Sequence, residues 1–383
     1  MPLFVLAHFC HHVVGSLLTP LLPFIRSDFT LSKTQVGILG SAYNLPYGLG
    51  QLPGGWLADR IGPRKLILIG ISGVAIAGLL VGIAPTYIVM AVFLVLLGLA
   101  GGGYHPAASP LVSASVAEQN RGRALGLHQI GGTASFFLTP LIAAGIASAL
   151  GWRGSFIAIA IPTFFFGIAL YFILGKRGYA ATSRPDATNG KTQTPALPAQ
   201  RRRLVVFTIL GVALQVMVFS SISFVPLYAN EILGASEAAA ASLLAIAHFA
   251  GLYAGPLGGY LSDRLGKVPI MLTVSLIAGP AIYLLHTTTL GWGISILLLV
   301  MGTCQYVGMP ISESYIISHT PERKRSTVLG VYYFASRGGP GVIMPALGYL
   351  IDNFSYETCF TVAGISMAVV AVLCILFLWR SRD

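Results

Sequence analysis

Charge is what this sequence lacks. Only 9% of its 383 residues are Asp, Glu, Lys or Arg, while 55% are hydrophobic. A soluble domain carries roughly 25% charged residues, so a chain this poor in charge cannot cover a water-facing surface and belongs in lipid. Acid is scarcer than base: 12 Asp and Glu stand against 23 Lys and Arg, a formal net charge of +11. Excess base is one mark of a nucleic-acid binder, but here it falls in short clusters between apolar runs rather than on one face or in a tail. Nucleic acid is therefore excluded as a partner. Cysteine is limited to Cys10, Cys304, Cys359 and Cys374, all inside apolar stretches, with no CxxC pair and no disulfide framework. They read as small apolar fillers. A phosphate loop is missing too. Gly101-Gly102-Gly103 is followed by no G-K-[ST] and sits inside an apolar run. A gradient, not ATP, must drive any work, and no cofactor is expected. No H-E-x-x-H and no nucleophile elbow occurs, which argues against an enzyme. Leu3 to Ile25 is long enough to span, has no basic stretch before it and no A-x-A site after it, so it is expected to stay in the chain as a helix.

What is present is one phrase said twice. Gly54-Gly55-Trp56-Leu57-Ala58-Asp59-Arg60-Ile61-Gly62 and Gly258-Gly259-Tyr260-Leu261-Ser262-Asp263-Arg264-Leu265-Gly266 agree at six of nine positions, with Asp59 and Asp263 204 residues apart. Pro106 and Pro310 keep that offset, and Pro23 and Pro226 close the first long apolar run of each half. Such an internal repeat predicts two halves of similar plan. A spanning helix takes about 20 apolar residues. Twelve can be laid down, at roughly 3–26, 35–58, 66–84, 87–112, 124–149, 154–174, 204–229, 238–262, 268–287, 291–316, 327–350 and 356–379. Gly175 to Arg203 is rich in Ala, Thr, Pro and Arg and has no apolar period, as expected of a water-exposed linker. The prediction is an all-α membrane protein of twelve transmembrane helices: a six-helix bundle at 1–174, a linker at 175–203 and a second six-helix bundle at 204–383.

Orientation follows from the basic residues. With both Asp-Arg phrases facing the cytoplasm, only Arg26, Lys33, Arg153 and Arg337 of the 23 lie outside the inner loops, the linker and the tail. Basic loops stay inside, so both termini are expected in the cytoplasm, with the chain a monomer in the inner membrane of a bacterial-type cell.

Twelve helices in two parallel halves, a central linker and the doubled phrase resemble the major facilitator superfamily over essentially the whole chain. The resemblance implies a secondary transporter whose halves rock about a midplane site. It implies that helices 1, 4, 7 and 10 line a cavity, with 2, 5, 8 and 11 beside them. It also implies that Asp59, Arg60, Arg64, Asp263 and Arg264 act as a gate at the cytoplasmic rim. Within the superfamily, His8 with Leu21-Leu22-Pro23, Tyr104-His105-Pro106-Ala107-Ala108-Ser109 and Gln129-Ile130-Gly131-Gly132 resemble the branch that includes the fosmidomycin-resistance exporters. Two departures count against a proton-driven drug exporter. The antiporter pattern of helix 5 is reduced to Thr139-Pro140-Leu141-Ile142-Ala143-Ala144, and no arginine lies between Ala91 and Leu99.

Polar residues inside a membrane are costly and so are functional candidates. Glu313 is the only acid well inside a predicted span, and Arg337, in the next helix, is the only base. A carboxyl in lipid is either protonated or paired with a cation. The two are expected to form an ion pair or a proton-coupled pair. The plainer reading is that Glu313 reaches the inner rim. His8 and His12, four apart, share a helix face. His105, His128 and His248 fall on other eligible helices, His248 at the repeat position of Asn44. Imidazole changes charge near neutral pH and suits proton coupling or anion binding. The plainer reading is that each bonds a backbone carbonyl. No carboxylate or thiolate stands at ligand spacing beside His8 and His12, so no metal is expected. Tyr104, Gln129, Gln215, Gln305 and Tyr332 complete the expected lining, with His12 and Gln215 each eleven residues before one of the paired prolines. Together these residues predict a carrier of a small anionic or zwitterionic molecule, such as a carboxylate or phosphonate, coupled to protons through Glu313 and histidine. The alternatives are an exporter of amphipathic drugs and, from another class, a non-transporting receptor or sensor of the same fold.

Overall fold

The computed structural model describes residues 1–117, 120–176 and 198–378, with no strand among them. Most of the expected linker, 177–197, lies outside the described residues. Helix α1 is Pro2–Phe29, α2 is Lys33–Ile61, α3 is Pro63–Gly82 and α4 is Tyr87–Ala114. The apolar stretch Arg123–Lys176 turns at Gly151, whose φ of +69° suits glycine. Helix α5 precedes that turn and α6 follows it. Then come α7 (Gln200–Glu231), α8 (Glu237–Leu265), α9 (Lys267–Thr287) and α10 (Trp292–His319). Helix α11 runs as Glu322–Gly338 and Pro340–Asn353, and α12 is Tyr356–Leu378. Outward faces carry Ile88, Phe165 and Leu376, all well exposed, as a lipid-covered surface requires. Phe156, Phe207, Phe224 and Phe360 are fully buried between helices.

Two of the twelve, α2 and α11, fall short of the apolarity expected of a span. They carry Asn44, Gln51, Tyr332, Ser336 and Arg337 and several glycines. These two helices pack against each other, joining the first half of the chain to the second. Lipid gives no hydrophobic drive for helix contact, so small residues and polar bonds must supply it. A Cβ on Gly48 would stand 2.8 Å from the Gly338 Cα, and one on Gly341 would stand 2.6 Å from Leu45. The Ser41 hydroxyl donates to the Gly341 carbonyl.

The start of α2 explains why one end of the molecule is shut. Ser32 caps the helix: its Oγ accepts from the Gln35 N–H at 3.1 Å, and Gln35 Oε1 accepts from the Ser32 N–H at 2.9 Å. Two further N–H groups of that first turn are taken by Asp352, from the end of α11. Its carboxylate accepts from the Lys33 N–H at 2.8 Å, the Thr34 N–H at 2.7 Å and the Thr34 hydroxyl at 2.7 Å. A carboxylate at a helix N-terminus also meets the positive end of the helix dipole. Beside it, Glu231 at the end of α7 pairs with Arg26 at 2.8 Å and Lys33 at 3.2 Å, and accepts from the Tyr356 hydroxyl at 3.2 Å.

At the opposite end lie both Asp-Arg phrases, and among the described residues no ion pair joins the halves there. Asp263 and Arg264 are exposed, and a Cβ on Gly126 or Gly259 would meet nothing within 4 Å. The two arginines of the repeat take the same pose, each over the ring four residues before it: Arg60 lies 4.4 Å from the Trp56 centroid and Arg264 lies 4.6 Å from that of Tyr260. Arg64 lies 4.1 Å from the Tyr171 ring of α6. The Asp59 side chain lies outside the described residues.

Candidate functional site

Between the two ends is a cavity of about 970 Å³, counted with the solvent at its mouth. Both halves build it. From the first come His12 and Ser16 of α1, Tyr43, Asn44 and Tyr47 of α2, and Phe136 of α5; from the second come Gln215 and Phe219 of α7, His248 of α8, Gln305 of α10, and Ser336 and Arg337 of α11. Arg337 is the one formally charged side chain among the described residues of this lining. Its Nη2 lies 3.5 Å from the Met309 sulfur, a weak acceptor that leaves most of the guanidinium fork unused.

The other polar groups are aimed by their neighbours. Asn44 Nδ2 donates to the Gly40 carbonyl at 2.9 Å, and Gln215 Nε2 donates to the Gln305 carbonyl at 2.8 Å. His248 Nδ1 and the Tyr306 hydroxyl are 2.9 Å apart. The Ser16 hydroxyl donates back to the His12 carbonyl at 2.6 Å, where α1 is interrupted before Leu18.

Behind His12 lies a packed cluster of rings. His8 Nδ1 is 2.8 Å from the His128 carbonyl, His128 Nδ1 is 2.9 Å from the Phe4 carbonyl, and His11 Nδ1 is 2.7 Å from the Gly70 carbonyl. A ring nitrogen facing a carbonyl must carry the proton, so these three Nδ1 atoms donate. His11 Nε2 then accepts from the Tyr47 hydroxyl at 3.3 Å. His8 stacks on His128 at 4.2 Å and His11 stacks on Tyr104 at 4.0 Å between centroids. Gly132 makes room for this, since a Cβ there would lie 2.6 Å from His8 Cε1.

The structure sorts the predicted residues into three groups. His12, Asn44, Gln215, His248, Gln305 and Arg337 line the cavity. His8, Tyr104, His105 and His128 form the ring cluster behind it. Gln129, Glu313 and Tyr332 are not in the lining. Gln129 is exposed, one position past buried His128 on the helix, so the turn that points the histidine inward points the glutamine out. Glu313 and Arg337 do not form the expected ion pair. The Glu313 carboxyl is turned to the Tyr333 hydroxyl, while Arg337, one turn further along α11, faces the cavity. Phe136, Phe219 and Ser336 were not foreseen, because an apolar residue in an apolar run, or one small hydroxyl among several, gives no signal of which face it presents.

The profile of the Major Facilitator Superfamily matches residues 4–339 and again 224–383. The chain belongs to the major facilitator superfamily. It is a multi-pass membrane protein and a secondary transporter, whose cavity is offered to the two sides of the membrane in turn. Members of this superfamily are transporters, and the relatives named below are transport or resistance proteins. One relative is a probable sulfoacetate transporter of Cupriavidus necator, 24% identical over 372 residues, covering 91% of this chain and 86% of that one. A cis,cis-muconate transport protein of Acinetobacter baylyi is 24% identical, covering 92% and 87%. A multidrug resistance protein of Rahnella is 26% identical, covering 81% and 75%. Among solved structures, a POT family transporter in complex with 5-aminolevulinic acid superposes with a TM-score of 0.82 at 14% identity, covering 98% and 95%. A bacterial homologue of the lysosomal transporter Spinster, inward-facing and unoccupied, gives 0.77 at 17% identity, covering 100% and 96%. At such identities the superpositions show the transporter fold alone.

Proposed function

We propose that this transporter carries a small organic anion, of the carboxylate or sulfonate class, bound at Arg337. The observation that carries this reading is a single guanidinium in a cavity whose other described walls are neutral. A fixed cation away from bulk water attracts an anion strongly, and a planar fork suits a carboxylate or sulfonate. Asn44, Gln215, Gln305, Ser336 and His248 stand around it to complete the shell. The names of two relatives, sulfoacetate and muconate transporters, support the same class.

The halves 1–174 and 204–383 move as two bodies joined by the linker 175–203. The charge bias supports cytoplasmic termini. The end sealed by Asp352 and Glu231 is then the outer one, and the cavity opens to the cytoplasm. Asp59, Arg60, Arg64, Asp263 and Arg264 close the inner rim in the opposite state. Glu313, in its niche with Tyr333, is the proton carrier. The unit is a monomer in a bacterial inner membrane.

The test is uptake into proteoliposomes. Labelled dicarboxylates and sulfonates are expected to accumulate under an imposed pH gradient, less so with Glu313→Gln, and hardly at all with Arg337→Gln. Uptake indifferent to both substitutions would sink the reading. A second reading, export of amphipathic drugs, rests on Phe136, Phe219, Ile222 and Leu244 in the same lining. Drug cations that displace a bound dicarboxylate would favour it.

A further inference from the structure

The geometry points to a binding site for a divalent transition-metal ion, formed by His8, His12 and His105. Sequence spacing gave only two of these ligands, and no metal was expected. The fold brings the third from α4. Each of the three rings offers a nitrogen, and these atoms lie within 4.8 Å of one another. The ring centroids form a nearly equilateral triangle: 4.9 Å for His8–His12, 5.1 Å for His8–His105 and 5.2 Å for His12–His105. Three imidazoles on one tetrahedral zinc, with Zn–N near 2.1 Å and about 1.1 Å from that nitrogen to the ring centre, have centroids about 5.2 Å apart. The rings already stand at that spacing. Their nitrogens need about 3.4 Å between them in such a site, and rotation about the soft χ2 torsions supplies the difference.

A second observation comes from His8 itself. Its Nδ1 donates to the His128 carbonyl, and its Nε2 is buried with no hydrogen-bond partner. A buried lone pair without a donor is uncommon. A histidine whose far nitrogen is held by a carbonyl, leaving the near one bare, is oriented as a metal ligand is. Among the described residues, neither ring nitrogen of His12 or His105 has a hydrogen-bond partner either. His12 is also part of the cavity lining, so an ion reaches the site from the cavity and keeps one coordination position on that side. The ion would tie α1 to α4 inside one half and would leave the halves free to rock. The inference stands apart from the cargo proposed above, since it needs only the three rings.

The test uses the full chain in nanodiscs, with any affinity tag removed, and Co²⁺ as a spectroscopic probe. One Co²⁺ per chain is expected, with the intense visible bands of a tetrahedral site, displaced by Zn²⁺. His12→Gln and His105→Gln should each weaken binding by at least about tenfold, while His286→Gln, at the end of α9, should not. The site is overturned if the bands are absent, or if binding is unchanged in His105→Gln. That variant decides alone if His12→Gln does not fold, because the His105 ring is only partly buried. Binding is read without cargo, so a failure here leaves the transport result independent.

Discussion

The carboxylate of Asp352 holds the shut end, and removing it should open the molecule there. Asp352→Ala deletes three hydrogen bonds at once, those from the Lys33 N–H, the Thr34 N–H and the Thr34 hydroxyl. Bonds to a charged group contribute roughly 1.5–3 kcal/mol each when shielded, and exposed ionic contacts about 0–1 kcal/mol. Asp352 is exposed, so about 0.5 kcal/mol each is the fitting figure, about 1.5 kcal/mol in all. That is roughly a tenfold fall in the ratio of shut to open molecules. Spin labels at Thr30 and Phe354, both exposed on opposite halves of this end, report the ratio as short and long distances. All four native cysteines are buried and stay out of the labelling. Glu231→Gln weakens the separate contacts to Arg26 and Lys33, and the double variant should open further than either single one. A distance distribution that does not change in Asp352→Ala or in the double variant would refute the idea that these contacts keep the end shut.

Three more outcomes follow from the same geometry. Gly48→Ala puts a methyl 2.8 Å from the Gly338 backbone, where neither side can yield cheaply. The label pair should shift toward long distances and transport should fall several-fold. Arg337→Gln should weaken binding of a dicarboxylate by about tenfold to a hundredfold, the range of one charge-assisted bond, with Arg337→Lys intermediate because it keeps charge without the fork; calorimetry on purified protein reads both. His11→Phe strands the Gly70 carbonyl and the Tyr47 hydroxyl, a loss of about 1–3 kcal/mol, seen as a thermal midpoint several degrees lower with the cavity intact.

The fold was legible because its signals are local and repeated. Asp59 and Asp263 announce two halves, and apolar length announces each span. Helices α2 and α11 are the test of that, since they were laid down by apolar length with the rest and yet miss the apolarity of a span. The site was legible as a set of helices, not as a set of contacts. Counting one acid and one base inside the spans led to a Glu313–Arg337 pair. Depth along the helix undoes it: Tyr333 meets Glu313, while Arg337, one turn further along the same face, reaches the cavity. The spacing of His8 and His12 could be read from one helix, but their meeting with His105 depends on how α1 and α4 pack. Asp352 stands in no sequence motif. Its partners Lys33 and Thr34 are more than three hundred residues away, and no local pattern announces such a contact.

The repeat also explains why the cavity has two unlike walls. Asn44 and His248 are repeat partners, 204 residues apart, and both line it. His12 and Gln215 stand at the same distance from the paired prolines, and they too line it. The symmetry fixes where side chains reach the centre and leaves free what those side chains are. In the first half those positions lead into an imidazole cluster with bare nitrogen lone pairs, a surface that accepts cations or protons. In the second half they surround a guanidinium, a surface that accepts anions. With the two bundles rocking as proposed, a cavity with a cation-seeking wall and an anion-seeking wall changes the distance between those walls with each stroke. Affinity for a ligand that touches both walls must then differ between the two states. A transporter needs that difference, and a symmetric lining would supply much less of it.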